Sequence, residues 1–272
     1  MNWRAMWAIV RKDVATPLRT KAVAMPLIIV PLILMVGVPA SLGSVVILAQ
    51  RMGVTTGDVQ ELNSAIPASV RESLAGLDDA QAGLVFALVY LFAPMYLILP
   101  LMVSSVIAAD SFAGEKERRT FEALAYTPTT DHELLAAKMI GGWLPGLMVS
   151  FVGFFVYTLM CNLVALQVVG GPILPNQFWL ILAFWVAPAA AGLGLGVTVL
   201  VSSRVNTFQE AYQLGSLIVL PVVFLMIGQI AGMFYISTNL VFAFGLVLWL
   251  LDAAIFAIGA ATFKRTEMMA RL

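Results

Sequence analysis

Residues 139–203 read MIGGWLPGLMVSFVGFFVYTLMCNLVALQVVGGPILPNQFWLILAFWVAPAAAGLGLGVTVLVSS, with no Asp, Glu, Lys or Arg. A helix crosses the hydrocarbon core of a bilayer with about 20 apolar residues, so this run is too long for one crossing. Its single cluster of breakers, Gly170-Gly171-Pro172 through Pro175-Asn176-Gln177, divides it into two spans. A stretch that buries no charge and breaks once belongs to a helical hairpin within a membrane.

Working outward, Val23 to Gln50 and Ala80 to Ala109 are free of charge, and Ala211 to Phe263 divides at Ser237-Thr238-Asn239. The expected architecture is a single all-α membrane domain over 1–272 with six spans, at about 23–50, 83–109, 139–169, 178–201, 214–236 and 240–263. The first apolar stretch is longer than a signal-peptide core and starts well after Met1, so it reads as a retained span. Composition agrees: the 272 residues are 61% hydrophobic and 11% charged, about half the charge of a soluble domain. The net charge of zero gives no pull toward nucleic acid. A single cysteine, Cys161, excludes an internal disulfide, and a single histidine, His132, excludes a multi-histidine metal site.

Six spans put both termini on one face, and basic residues indicate which. Arg4, Arg11, Lys12, Arg19, Lys21, Lys116, Arg118, Arg119, Lys138, Arg204, Lys264, Arg265 and Arg271 fall on the terminal face; only Arg51 and Arg71 fall opposite. That distribution predicts cytoplasmic termini. The outer loop, 51–79, leaves no room for an external receptor or catalytic domain.

Two elements on the inner face are legible. Trp3, Met6, Trp7, Val10 and Val14 recur at helical spacing with Arg4, Arg11 and Lys12 opposite, until Pro17 stops the pattern; this is an interfacial amphipathic helix with Trp3 and Trp7 as anchors. Between spans two and three, Ser111 to Tyr126 favours helix, with Glu115–Arg119 and Arg118–Glu122 at pairing distance. Thr127-Pro128 ends it. Thr130 and Glu133 then form a capping box that starts a helix running through Leu134 and Leu135 into span three.

On charge pattern alone this segment is a solvated hairpin. Its order, Gly114-Glu115-Lys116-Glu117-Arg118-Arg119-Thr120-Phe121-Glu122, then Leu124, Thr127-Pro128, Glu133-Leu134-Leu135 and Lys138, resembles the first cytoplasmic loop of the type-2 permeases of ATP-binding cassette transporters. The resemblance extends over the chain through the six spans, the amphipathic start and the Ser203–Gly215 stretch. It implies a permease subunit of an exporter, two copies or paralogues paired, served by two cytoplasmic ATPase subunits in a prokaryotic inner membrane. ATP and Mg would sit on those subunits, with no cofactor in this chain. It also implies that Glu115, Arg118, Arg119, Phe121, Glu122, Leu124, Tyr126, Thr127 and Pro128 dock the ATPase, with Arg204, Gln209 and Glu210 as a second inner contact. Arg119 stands where the family has glycine, which should make the helix more regular.

No P-loop is present, because none of the five lysines follows glycine. Intramembrane hydrolases are excluded too: His-Glu-x-x-His needs two histidines, and Gly-x-Ser-x-Gly does not occur. The chain is therefore expected not to be an enzyme. Asp252 is the one charge deep in a span. It is either a proton- or cation-linked group or a neutral carboxyl bonded to another span, with Asn162 or a serine as partner. By the resemblance, spans one, two and five flank the pathway, where Ser41, Ser44, Ser104, Ser105, Ser216 and Gln229 are the few polar residues. So apolar a lining fits a hydrophobic or amphiphilic cargo. The competing function is a non-transporting scaffold that docks a cassette ATPase for signalling or self-protection.

Overall fold

A computed structural model describes residues 3–52, 66, 68–71, 74–120, 130–231, 233 and 236–262. The described residues form helices and turns, and six of the helices are long and apolar enough to cross a membrane: Val23–Met52, Asp79–Glu117, Glu133–Val168, Gln177–Ser202, Phe208–Ile230 and Thr238–Gly259. We call these spans 1 to 6. A preceding helix, α1, covers Trp3–Arg19. It continues through Pro17, contrary to the sequence reading, and the chain turns only before Lys21. Span 5 ends at Ile230, before the expected 236, because a turn at Ala231 stops it.

Local chemistry sets the starts. Asp78 and Gln81 form a capping box before span 2, and Thr130 and Glu133 form another before span 3. Asn176 caps span 4 and Thr207 caps span 5. Each supplies an oxygen to a backbone N–H that the helix itself leaves unpaired. From the Thr130 cap, span 3 runs as one helix, Asp131–Val168, of 38 residues, through Pro145. Its far end is tied to span 2 by Gln81 Nε2, which donates to the Val168 carbonyl at 2.7 Å.

Spans 2 and 4 form the buried centre, and spans 1, 5 and 6 lie outside them. Close approach explains the order. At Gly146 a Cβ would come within 2.1 Å of Ser104 Oγ, and at Gly194 within 2.8 Å of the Leu101 carbonyl, so spans 3 and 4 rest directly on span 2. A π-helical turn over Ala87–Leu91 loosens span 2 locally. There, two carbonyls accept from neighbours: Leu88 from the Tyr157 hydroxyl at 2.7 Å and Val89 from Trp179 Nε1 at 2.8 Å. Tyr157 and Trp179 stack 4.6 Å apart, so buried aromatics both fill the core and satisfy the irregular backbone.

Candidate functional site

The end of the bundle that carries α1 holds the main concentration of charge among the described residues. Span 2 finishes in a π-helical turn, Asp110–Gly114, and a short turn, Glu115–Glu117. Against it lies the start of span 3, and α1 crosses both. Met6, Ile9 and Val10 of α1 are buried against Leu134 and Ala137. Gly141 permits the approach: a Cβ there would meet Asp13 Cβ at 3.4 Å and the Val10 backbone at 3.6 Å.

That packing carries Asp13 inward. Ser111 Oγ donates to Asp13 Oδ2 at 2.6 Å. Lys138, fully buried, donates to Glu115 Oε2 at 2.6 Å and to Ser111 Oγ at 3.0 Å, and its Nζ lies 3.8 Å from Asp13 Oδ2 and 5.0 Å from the Phe112 ring centre. Lys12 reaches in from the rim, bonding Glu115 and pairing with Asp13 Oδ1 at 2.9 Å. Two ammoniums and two carboxylates thus close a neutral cluster. Burying one of these charges alone would be costly, so each requires the others to be in place. Burial acts to lower the Lys12 pKa, but Asp13 and Glu115 outweigh it and hold the ammonium above its ordinary 10.5.

Beyond the cluster, Arg118 Nη1 donates to Asp110 Oδ1 at 2.8 Å, a bond that raises the guanidinium pKa. Two further contacts fasten the end of span 2 to the start of span 5. Lys116 Nζ donates to the Val205 carbonyl at 3.2 Å, and the Phe208 amide donates to Glu117 Oε2 at 2.8 Å. The Ser111 hydroxyl is held between Asp13 Oδ2 and Lys138 Nζ. Among the described residues there is no group of three His, Cys, Asp or Glu that would hold a metal. At this end of the bundle α1 and spans 2, 3 and 5 are joined by ionic and backbone bonds.

The structure places the residues singled out by the sequence as follows, and it corrects the Glu115–Arg119 pair and the run of helix past Glu117. Glu115, grouped with the docking residues, is buried, with both oxygens engaged by lysines 12 and 138 in place of the expected partner Arg119. Arg118 bonds Asp110. Arg119 adopts φ +54 in a turn, so the helix that closes span 2 stops at Glu117 and is not made more regular at this position. The position suits the glycine that the resemblance expects there. Lys12, assigned to the polar face, folds back toward span 2. Trp3 and Trp7 are exposed at 65% and 60%, with Arg4 and Arg11 also exposed. Arg204, Gln209 and Glu210 are exposed at the start of span 5, where Glu210 Oε2 accepts from the Asn206 amide at 3.2 Å. Phe121, Glu122, Leu124, Tyr126, Thr127 and Pro128 lie outside the described residues.

Asp13 and Ser111 escaped the sequence reading. One signal was available: Asp13 shares the stripe of Met6, Ile9, Val10 and Pro17, a face on which a carboxylate needs a partner.

Asp252 sits 1% exposed against span 4, and a Cβ on Gly192 would lie 2.5 Å from its Oδ2. Neither carboxylate oxygen has a hydrogen-bond partner among the described residues. Asn162 is not its partner, because it bonds the amides of Ile173 and Leu174 and the Leu174 carbonyl, shaping the turn between spans 3 and 4. Ser104 and Ser105 are buried inside the bundle, Ser105 donating to the Gly194 carbonyl at 3.1 Å, so they line no surface of the chain.

The family model described as ABC-2 family transporter protein matches residues 7–269. No curated protein and no solved structure matches the chain.

Proposed function

Because the chain belongs to the ABC-2 transporter family, we propose that it is the permease subunit of an ATP-driven exporter, moving a hydrophobic or amphiphilic cargo with energy from separate cytoplasmic ATPase subunits. The observation that carries this reading is the ion cluster of Lys12, Asp13, Glu115 and Lys138. A loop that receives mechanical work must stand on a base that does not yield. Residues 121–129 spring from span 2 on one side and span 3 on the other, and both roots are bound to the cluster. Closure of two ATPases around ATP would displace that loop, and the joined helices would carry the displacement into the membrane.

In this proposal Phe121, Leu124 and Tyr126 seat in the ATPase, with Glu122, Arg118 and Arg119 around them, and Thr127-Pro128 sets the turn. Glu115 acts beneath the contact, as a support. Arg204, Gln209 and Glu210 make the second inner contact, coupled to the first loop through Glu117 and Phe208. Two permease copies, or this chain and a paralogue, enclose the pathway, with termini on the cytoplasmic side and ATP and Mg on the partner. An apolar cargo is supported by the polar groups of the outer spans: Ser41, Ser44 and Ser216 each donate to a carbonyl of their own helix.

Co-purification with the cassette ATPase tests the docking. Phe121→Asp and Glu122→Lys are expected to abolish association while leaving membrane insertion intact; retention of the ATPase by both variants overturns the assignment. ATP hydrolysis by the reconstituted complex, stimulated by cargo, separates a transporter from a scaffold.

A further inference from the structure

Spans 1 and 3 leave between them a lateral groove of about 390 Å3. Its floor is Met35 and Gly153, and its rims are Ile28, Leu32, Met148 and Val152, all four exposed. The walls carry no charged side chain. Two features of the chain make the hollow. Gly153 contributes no side chain, and a Cβ there would come within 2.7 Å of Leu99 Cδ2. On the facing wall, span 1 widens into a π-helical turn, Ile33–Gly37, just after Pro31. Irregular turns of that kind recur at functional sites.

At the α1 end of span 1, Arg19 and Lys21 flank Thr20, and all three are exposed. The depth of the groove below them is informative. At 1.5 Å per residue, Leu27 lies about 9 Å beyond Lys21 and Val36 about 22 Å beyond it. Measured from a headgroup, one leaflet presents roughly 6 Å of interface and then about 15 Å of hydrocarbon. The groove therefore covers the acyl depth of one leaflet, and the two cations stand at its headgroup level.

We propose that this groove is a binding site for one anionic glycerophospholipid, one of its two acyl chains lying between spans 1 and 3 and its phosphate held by Arg19 and Lys21. The apolar walls take the chain without exposing a polar group. The paired cations select the head, each adding electrostatic attraction to an anionic lipid. The site needs only a chain in a bilayer, so it stands apart from the transport proposal and is tested without ATP or cargo.

Native mass spectrometry of the full-length chain in mild detergent, incubated with palmitoyl-oleoyl phosphatidylglycerol or phosphatidylcholine, reads the site directly. The wild type is expected to retain the glycerol lipid over the choline lipid by roughly 30-fold, the combined effect of two cations. Arg19→Gln with Lys21→Gln should equalise the two lipids. Val152→Trp, and independently Met148→Trp, should reduce retention of both, because each places bulk in the groove from an exposed rim position. Equal retention of the two lipids by the wild type overturns the headgroup assignment, and undiminished retention by both tryptophan variants overturns the chain assignment. A disulfide-linked dimer formed in membranes by Val152→Cys in a Cys161→Ala background shows instead that a second copy covers the groove, and also overturns the proposal.

Discussion

Lys138 and Glu115, 2.6 Å apart and both buried, join the beginning of span 3 to the end of span 2. The pair is isolated from solvent on the side of Lys138, and its balance depends on Asp13 and on the half-exposed Lys12.

Removing one charge should therefore cost more than removing two. Lys138→Met leaves two buried carboxylates facing one lysine, a loss of about 3–5 kcal/mol by the usual magnitude for a broken buried pair. Lys138→Met with Glu115→Gln restores neutrality and should recover much of that loss. Thermal unfolding in detergent measures both; a double variant no more stable than the single one contradicts the account.

Lys12 contributes a pH dependence of definite sign. Its pKa is raised above 10.5 in the folded protein, so the stabilisation is complete below 10.5 and is lost as pH rises through the higher folded value. The melting temperature should fall at strongly alkaline pH in the wild type, and Lys12→Gln should flatten that part of the profile. Superimposable profiles for the two proteins would remove Lys12 from the cluster.

Arg119 holds a left-handed conformation that costs a residue with a Cβ about 1 kcal/mol. Arg119→Gly relieves that cost, against the extra freedom glycine has when unfolded. Its melting temperature should equal or exceed the wild type, whereas Arg119→Val should melt lower, since a branched side chain resists this φ most. The reverse order would show that the turn is not maintained.

Gly192 and Asp252 should be energetically coupled. A methyl group at Gly192 would strike the Asp252 carboxylate, with overpacking worth about 1–3 kcal/mol. Asp252→Ala clears the space and removes two unpaired oxygens, so Gly192→Ala should be tolerated in that background. Additive losses in a double-mutant cycle would disprove the contact.

The spans were legible because a charge-free run long enough to cross a bilayer has few alternatives, and Thr130 with Glu133 was legible because a capping box lies within four residues. The ion cluster was not. Lys12 bonds Glu115 across 103 positions and Ser111 bonds Asp13 across 98, while the nearest apparent partners, four residues along a helix, were the ones the sequence offered. Tertiary packing of α1 over Gly141 decided the pairing, and the turn at Arg119 takes that residue out of the helix on which its pairing with Glu115 depended. Asn162 was misread in the same way. A polar residue in a span invites an intramembrane partner, yet this one stands near the end of its helix and serves the following turn.

The unbroken helix Asp131–Val168, with Gln81 holding its last turn, has one further consequence. Its 38 residues measure about 57 Å, nearly twice the hydrocarbon thickness of about 30 Å. Held by Gln81 at its last turn and by Lys138 near its start, this rod converts a tilt of about 10° into a shift of about 10 Å of one end relative to the other, given that length. Small rotations deep in the bundle and large excursions at the loop are then the same motion, seen from opposite ends of one helix.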